Sequence, residues 1–271
     1  MSKIHTALVH RLVEVLKEDE RVLAAWVEGS LARSEADDYS DIDLWLCVKD
    51  NAFEDFIDSR EQFAAQLGPV LSILYPRNID HDFNLMDSFK IIFEDQPLTL
   101  TLDVEVQKRS RKFFFTKDSE AEECRILFDR AEIIKYRPFN PQIVEQHAEE
   151  VFDDVVVRFW HQVPLVLSHI YRGDLLEAMN YYWQDLNYLI SLYRILYTPE
   201  KVDWGFKDIE YDLPEEVIKE LYDLMPHPHP KALPKLLKKL AKRFFKQSRV
   251  VGKRIKAPVP SALAQAILKE L

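Results

Sequence analysis

Residues 22–48 read VLAAWVEGSLARSEADDYSDIDLWLCV, and this stretch decides the fold of the N-terminal half. Val22 to Val27 is short, apolar and β-branched, which predicts a strand. Asp41 to Val48 alternates between acidic and apolar residues at first and then becomes continuously apolar, as a central strand does. Glu28-Gly29-Ser30 predicts a turn after the first strand, followed by a brief helical stretch from Leu31.

Two carboxylates stand at the start of the second predicted strand. Asp41 and Asp43 are separated by one residue, so their side chains share a face and lie about 6.5–7 Å apart along the strand. Carboxylates on one face repel each other and are costly to desolvate, and a divalent cation removes that cost. Mg²⁺ takes carboxylate, phosphate and water oxygens as ligands. The pair is therefore a candidate magnesium site.

Gly29 and Ser30 form a candidate phosphate-binding turn. The chain has only five glycines and no two lie close together, which excludes a Gly-rich P-loop or a dinucleotide-binding fingerprint. Glycine lets the backbone approach a ligand closely, and the following amides and hydroxyl can hold phosphate oxygens. A metal pair facing such a turn is the minimum set of groups for phosphoryl or nucleotidyl transfer.

These motifs together resemble the signature of the DNA polymerase β-like nucleotidyltransferase superfamily. Gly29-Ser30-Leu31-Ala32-Arg33 is followed by Asp41-Ile42-Asp43 in the next strand, with ten residues between Ser30 and Asp41. The segment Asp38 to Asp43 resembles the nucleotidyltransferases that act on aminoglycosides and lincosamides. The strong match covers residues 22–48, and the rest of the chain is similar in architecture only. Ser34 departs from the pattern, since many relatives have a glycine after Ala-Arg.

The resemblance implies a third carboxylate on a later strand. Leu102-Asp103-Val104 has the hydrophobic–acid–hydrophobic form of that residue, so Asp103 is preferred, and Glu105 on the same face is the alternative. In the family's small-molecule members this acid either ligates a metal or takes the proton from the acceptor hydroxyl.

The resemblance implies a role for each of these residues, with Mg²⁺ as the cofactor and ATP or another nucleoside triphosphate as the co-substrate. For Arg33, a phosphate contact and a solvated side chain are equally compatible with the sequence. The implied metal ligands are Asp41, Asp43 and Asp103; the implied catalytic acids are Asp41, Asp43, Asp103 and Glu105; the implied nucleotide-binding residues are Gly29, Ser30 and Arg33.

The predicted fold class is α+β. Residues 1–138 form a nucleotidyltransferase-type mixed sheet with flanking helices, the catalytic domain, and residues 139–271 form a helical-bundle domain that binds the acceptor. Predicted strands beyond the first two are Val70 to Tyr75, Phe89 to Phe93, Leu98 to Val106 and Arg125 to Phe128. Predicted helices cover 4–19, 53–67, 141–171, 174–197, 214–224 and 233–245, with a proline-rich linker at 225–230.

Charge limits the class of partner. With 36 basic and 46 acidic residues the net charge is −10, which argues against a general nucleic-acid binder and suits a cationic or metal-bridged ligand. Residues 231–256 hold eleven Lys/Arg and no acid, and we interpret this basic helix as a solvated face, with an anionic partner as the less favoured reading. No stretch approaches eighteen apolar residues and no signal sequence is visible, so we expect a cytoplasmic protein without a membrane segment.

The expected function is transfer of AMP from ATP to a hydroxyl of a small polar molecule, for which the resemblance suggests an aminoglycoside or lincosamide antibiotic. One alternative is a nucleotidyltransferase that modifies a protein or an RNA, recruited by the basic helix. Another is a catalytically inactive nucleotide-sensing module. The expected partners are a nucleoside triphosphate and a small hydroxyl acceptor, and a homodimer is left open.

Overall fold

A computed structural model describes residues 3–75, 84–119, 121–226, 229 and 231–271. The chain divides into two compact units, Met1–Phe139 and Asn140–Leu271. The first is a sheet with flanking helices and the second is helical, so the predicted α+β class is confirmed. The assignment of catalysis to one part and acceptor binding to the other stays a prediction.

The first unit is built on a mixed sheet of six strands. The strands that the structure describes in this unit, two of which lie outside the six-stranded sheet, are β1 (Val22–Val27), β2 (Ile42–Val48), β3 (Val70–Leu74), β4 (Met86–Phe93), β5 (Thr101–Lys108), β6 (Phe115–Thr116), β7 (Arg125–Asp129) and β8 (Tyr136–Arg137). Its helices are α1 (Lys3–Glu18), α2 (Gly29–Ala32), α3 (Phe53–Asp58) and α4 (Arg60–Leu67), with a 3-10 turn at Asp50–Ala52. The strand order is β3-β4-β5-β2-β1-β7, and β6 pairs separately with β8. Within the large sheet, β2 and β5 run parallel and the other neighbours run antiparallel.

Alternation along β2 separates the two faces of the sheet. Leu44 and Leu46 are fully buried in the main core of this unit, which α1, α3 and α4 cover. Asp43 and Trp45 point to the opposite face and are half-buried. There Trp45 stacks on Trp26 of β1, with ring centroids 5.8 Å apart. One face therefore provides the main core, and the opposite face carries a smaller apolar cluster around Trp26 as well as the half-buried Asp43.

Three predicted elements of this unit are clearly wrong in their bounds, and one of them is β4, which begins at Met86 instead of Phe89. The single helix expected over 53–67 is broken at Ser59, whose hydroxyl donates to the carbonyl of Phe56 at 2.9 Å and competes with the helical ladder. Strand β5 begins at Thr101 instead of Leu98, because the turn extends through Leu100, whose N–H donates to the carbonyl of Pro97 at 2.9 Å. The shorter strand still contains Asp103 and Glu105.

The second unit is helical throughout the residues that the structure describes. Its helices are α5 (Pro141–Arg172), α6 (Leu175–Tyr197), α7 (Ile209–Asp212), α8 (Glu215–Tyr222), α9 (Leu233–Ile255) and α10 (Ser261–Glu270), with a 3-10 helix at Pro199–Trp204. Gly173, at φ +84°, ends α5 one residue beyond the predicted end at 171. Helix α10 was not predicted. His227, Pro228 and Pro230 of the predicted linker, and Pro76 to Phe83 in the first unit, lie outside the described residues.

The basic helix α9 is a structural element of this core. Leu237, Leu240 and Phe244 on its apolar face are fully buried. Phe244 stacks on Phe159 of α5, with ring centroids 3.6 Å apart. In the part of the chain described, no helix combines the length and apolar character needed to cross a membrane.

Asp185 of α6 is a fully buried carboxyl in the second unit. Among the described residues neither of its side-chain oxygens has a hydrogen-bond partner. Burial raises the pKa of this carboxyl well above its ordinary value, because a charged carboxylate is poorly solvated there. The folded protein therefore favours the protonated form, whereas the unfolded chain ionises above about pH 4. Stability from this group is present at low pH and is lost as the pH rises.

We predict that Asp185→Asn raises the free energy of unfolding at pH 7, because the amide replaces a carboxyl that must take up a proton to be buried. The gain should shrink by about 1.4 kcal/mol per pH unit as the pH falls towards 4, because the wild-type carboxyl is then protonated in both states. Urea unfolding between pH 4 and pH 7.5 measures this difference. Asp153→Asn, at an exposed position of α5, is the matched control and should change little. A gain that does not depend on pH would contradict the prediction.

Candidate active site

The structure brings Asp41, Asp43 and Asp103 together. One carboxylate oxygen from each lies within 4.8 Å of the others. Asp41 directly precedes β2, Asp43 is its second residue, and Asp103 is the register partner of Asp43 in the parallel strand β5. Side chains of paired residues point to the same face of a sheet, so the register itself places the third carboxylate beside the first two. We call these three residues the acid trio.

Gly29 brings the turn after β1 against the acid trio. Its φ is +64°, and a Cβ atom there would lie 2.2 Å from Oδ2 of Asp43. The N–H of Glu28 donates to the carbonyl of Asp43 at 3.0 Å, which ties the turn to β2. Only glycine satisfies both the backbone conformation and the close approach. Ser34 also adopts a left-handed conformation, at φ +61°.

The other two predicted nucleotide-binding residues lie in the same turn. Ser30 is half-buried in α2, and its carbonyl accepts from the N–H of Glu35 at 2.9 Å. Arg33 follows α2, and its Nε lies 2.7 Å from Oε2 of Glu35. The Arg33 side chain is only 14% exposed, so the solvated reading of this residue is wrong. Its role in binding a nucleotide stays a prediction.

Lys90 is a member of the site that the sequence analysis missed. It is the register partner of Asp103 in the antiparallel strand β4, and its Nζ lies 2.7 Å from Oδ2 of Asp103. The hydroxyl of Thr101 donates to Oδ1 of the same carboxylate at 3.2 Å. The hydrogen bond to Asp103, together with the nearby charges of Asp41 and Asp43, raises the pKa of the Lys90 ammonium. A single lysine among the apolar residues of a strand was the available signal.

Glu105 lies on the same face of β5, two residues beyond Asp103, and is half-buried. It is the register partner of Trp45 and of Ser88. Burial raises the pKa of its carboxyl to about 7, and the negative charges of Asp103, Asp87 and Glu28 add to the shift. Among the described residues of this site, the carboxylate oxygens that lie within 4.8 Å of one another are those of Asp41, Asp43 and Asp103, so Glu105 lies beside the acid trio and is not part of it.

The donor set of the acid trio fits a divalent cation. Its three carboxylates supply the hard oxygen ligands that Mg²⁺ requires, and their oxygens are close enough to share one ion. The missing Cβ of Gly29 leaves the turn directly against one of them. Three carboxylates this close repel each other unless positive charge is supplied.

A mixed sheet that brings two carboxylates from the start of one strand, one just before it and one within it, together with a third from the parallel neighbour beside a Gly-Ser turn defines a nucleotidyltransferase. The family model described as "Streptomycin adenylyltransferase" matches residues 3–270, and the chain belongs to this family. The comparison with curated proteins gives no match. The protein is thus a nucleotidyltransferase enzyme of an adenylyltransferase family, and the expected similarity to aminoglycoside nucleotidyltransferases is confirmed.

We predict that Gly29→Ala abolishes most activity, because the added methyl group must displace the Asp43 carboxylate from its present position. The left-handed backbone adds a strain of about 1–2 kcal/mol, so the thermal midpoint should also fall. Pyrophosphate release measures adenylyl transfer, and thermal unfolding measures stability.

Gly173→Ala is the matched control for that experiment. Gly173 has φ +84°, but a Cβ atom there meets nothing within 4 Å. The control therefore carries a similar backbone strain without a clash, and should lose stability while keeping its activity. Equal loss of activity in the two variants would show that strain alone, and not displacement of Asp43, explains the effect.

Proposed function

We propose that this enzyme transfers AMP from ATP to a hydroxyl group of an aminoglycoside antibiotic, and that the reaction depends on Mg²⁺. The observation that carries the proposal is the acid trio against the Gly29 turn, in a chain whose family is described by streptomycin adenylylation. A net charge of −10 supports a polycationic acceptor. A role in antibiotic resistance, which is associated with the family, is part of the same proposal for this protein.

In the proposed reaction the acceptor oxygen attacks the α-phosphorus of ATP. A bond forms between these two atoms, the bond from the α-phosphorus to the bridging oxygen breaks, and pyrophosphate leaves in line. The hydroxyl proton passes to a carboxylate of the enzyme. The products are an adenylylated acceptor and pyrophosphate.

The residues of the site divide this work between them. Asp41, Asp43 and Asp103 would hold Mg²⁺, which supplies positive charge to the triphosphate when it is bound. The backbone of Gly29 and the hydroxyl of Ser30 would hold the β and γ phosphates, where the absence of a side chain permits close approach. Arg33 would exchange its contact with Glu35 for a phosphate oxygen.

Glu105 is the proposed acceptor of the hydroxyl proton. Both oxygens of Asp103 already accept hydrogen bonds, from Lys90 and Thr101, which makes Asp103 the poorer choice. Glu105 lies on the same face of the sheet, at the distance of one strand repeat, about 6.5–7 Å along β5. This spacing leaves room for an acceptor hydroxyl beside the nucleotide.

We predict that Asp41→Ala lowers turnover by about a thousandfold or more and abolishes Mn²⁺ binding, because one of three cation ligands is removed. Pyrophosphate release and electron paramagnetic resonance of Mn²⁺ measure the two effects. Asp38→Ala, at an exposed position of the same loop, is the control and should retain both properties. Turnover that survives in Asp41→Ala would exclude the metal assignment.

We predict that Glu105→Gln lowers kcat by about 10²–10⁴-fold and leaves Mn²⁺ binding close to that of the wild type. The glutamine keeps the shape of the side chain and cannot take a proton. Asp103→Asn is the comparison, since it should weaken Mn²⁺ binding as well. If Glu105→Gln is fully active and Asp103→Asn loses kcat with its metal affinity unchanged, Asp103 is the proton acceptor instead.

The acceptor is tested by incubating the enzyme with ATP, Mg²⁺ and a panel of aminoglycosides, lincosamides and hydroxylated metabolites. Pyrophosphate release and a mass gain of one adenylyl group identify the acceptor. Label transferred from ATP to protein or RNA, with no gain on any small molecule, would favour the alternative of a macromolecular acceptor. Failure of the whole panel with ATP, but success with another nucleoside triphosphate, would overturn the choice of donor.

A further inference from the structure

Lys90 contacts the acid trio directly and has no role in the function proposed above. It is the one basic residue in β4, which otherwise reads Met-Asp-Ser-Phe before it and Ile-Ile-Phe after it. Its ammonium lies 2.7 Å from Oδ2 of Asp103, and both side chains are partly shielded, at 38% and 29% exposed. The contact is made across paired strands, so the backbone register holds the two residues opposite each other.

The positive charge of Lys90 lowers the net negative charge that the acid trio presents to a cation. With the three carboxylates ionised, the ammonium reduces the formal charge of the group from −3 to −2, the charge that one divalent ion neutralises. The same ammonium relieves the mutual repulsion of carboxylates whose oxygens lie within 4.8 Å. It also contacts Oδ2 of Asp103, one of the two carboxylate oxygens that this residue offers as ligands.

We propose that Lys90 is the built-in counter-ion of the acid trio. It partly neutralises the three carboxylates before any cation arrives, and it competes with a free divalent ion for Asp103. The free enzyme therefore binds a divalent cation weakly, and full occupancy waits for a nucleotide that brings phosphate ligands of its own. This inference rests on the proposed function, because it assumes that the acid trio is the cation site.

The experiment measures Mn²⁺ affinity without nucleotide, by electron paramagnetic resonance, in the wild type and in Lys90→Met. Methionine keeps the length of the stem and removes the charge. We expect Lys90→Met to bind Mn²⁺ about tenfold more tightly, because a full positive charge a few ångströms from the ion is lost. The Mg²⁺ concentration for half-maximal turnover with ATP should fall in parallel.

Two further variants make the result specific. Lys90→Arg keeps the charge and should retain the wild-type Mn²⁺ affinity, so it separates charge from side-chain shape. Lys108→Met is the matched control on the neighbouring strand β5. Lys108 pairs with Glu54 at 3.4 Å and lies five residues along the strand from Asp103, so its loss should leave the affinity unchanged.

The outcomes separate this inference from the function on which it rests. If Asp41→Ala binds Mn²⁺ as the wild type does, the acid trio is not the cation site and the proposed function fails. If Asp41→Ala loses Mn²⁺ but Lys90→Met binds it no more tightly than the wild type, only the counter-ion role of Lys90 is overturned. A tenfold gain in Lys90→Met that is absent in Lys90→Arg supports both.

Discussion

The site depends on holding three like charges together on one face of a sheet. The parallel register of β2 and β5 makes Asp43 and Asp103 direct neighbours, and Asp41 precedes β2 by one residue. Carboxylates at this distance repel each other, so the arrangement persists only where the backbone imposes it. The imposing force comes from the opposite face, where alternate residues of the same strands are buried under α1, α3 and α4.

Two residues next to the acid trio, Gly29 and Lys90, help to keep its three carboxylates together. Gly29 removes the side chain that would collide with Asp43, and its left-handed backbone turns the chain towards α2. Lys90 supplies a positive charge from β4, on the side of Asp103 away from β2. Gly29 avoids a steric clash with the acid trio, and Lys90 partly neutralises the negative charge of the acid trio. Neither has a comparable reason to be present if the three acids are an ordinary solvated surface.

The sequence analysis succeeded where local pattern and tertiary structure agree. The alternation in residues 41–48 predicted which face Asp41 and Asp43 share, and the hydrophobic–acid–hydrophobic form of 102–104 selected Asp103. It failed at Ser59, where one hydroxyl competes successfully for a backbone carbonyl and divides a helix. It also missed Lys90, because a lysine on a half-exposed strand face is common. Only the pairing of Lys90 with Asp103 on the neighbouring strand shows that Lys90 belongs to the site.

By itself, the sequence determined the strand–turn–strand unit with its Gly-Ser turn, the α+β class and the Asp41–Asp43 pair, since these follow from residue type and spacing along the chain. The choice of Asp103 came from the family resemblance. Only the tertiary structure decided that β5 lies directly beside β2, that Lys90 faces Asp103, and that burial raises the pKa of Glu105 to about 7. The reason is physical. Distances and dielectric surroundings between segments sixty residues apart are properties of the packed sheet, and no local pattern encodes them.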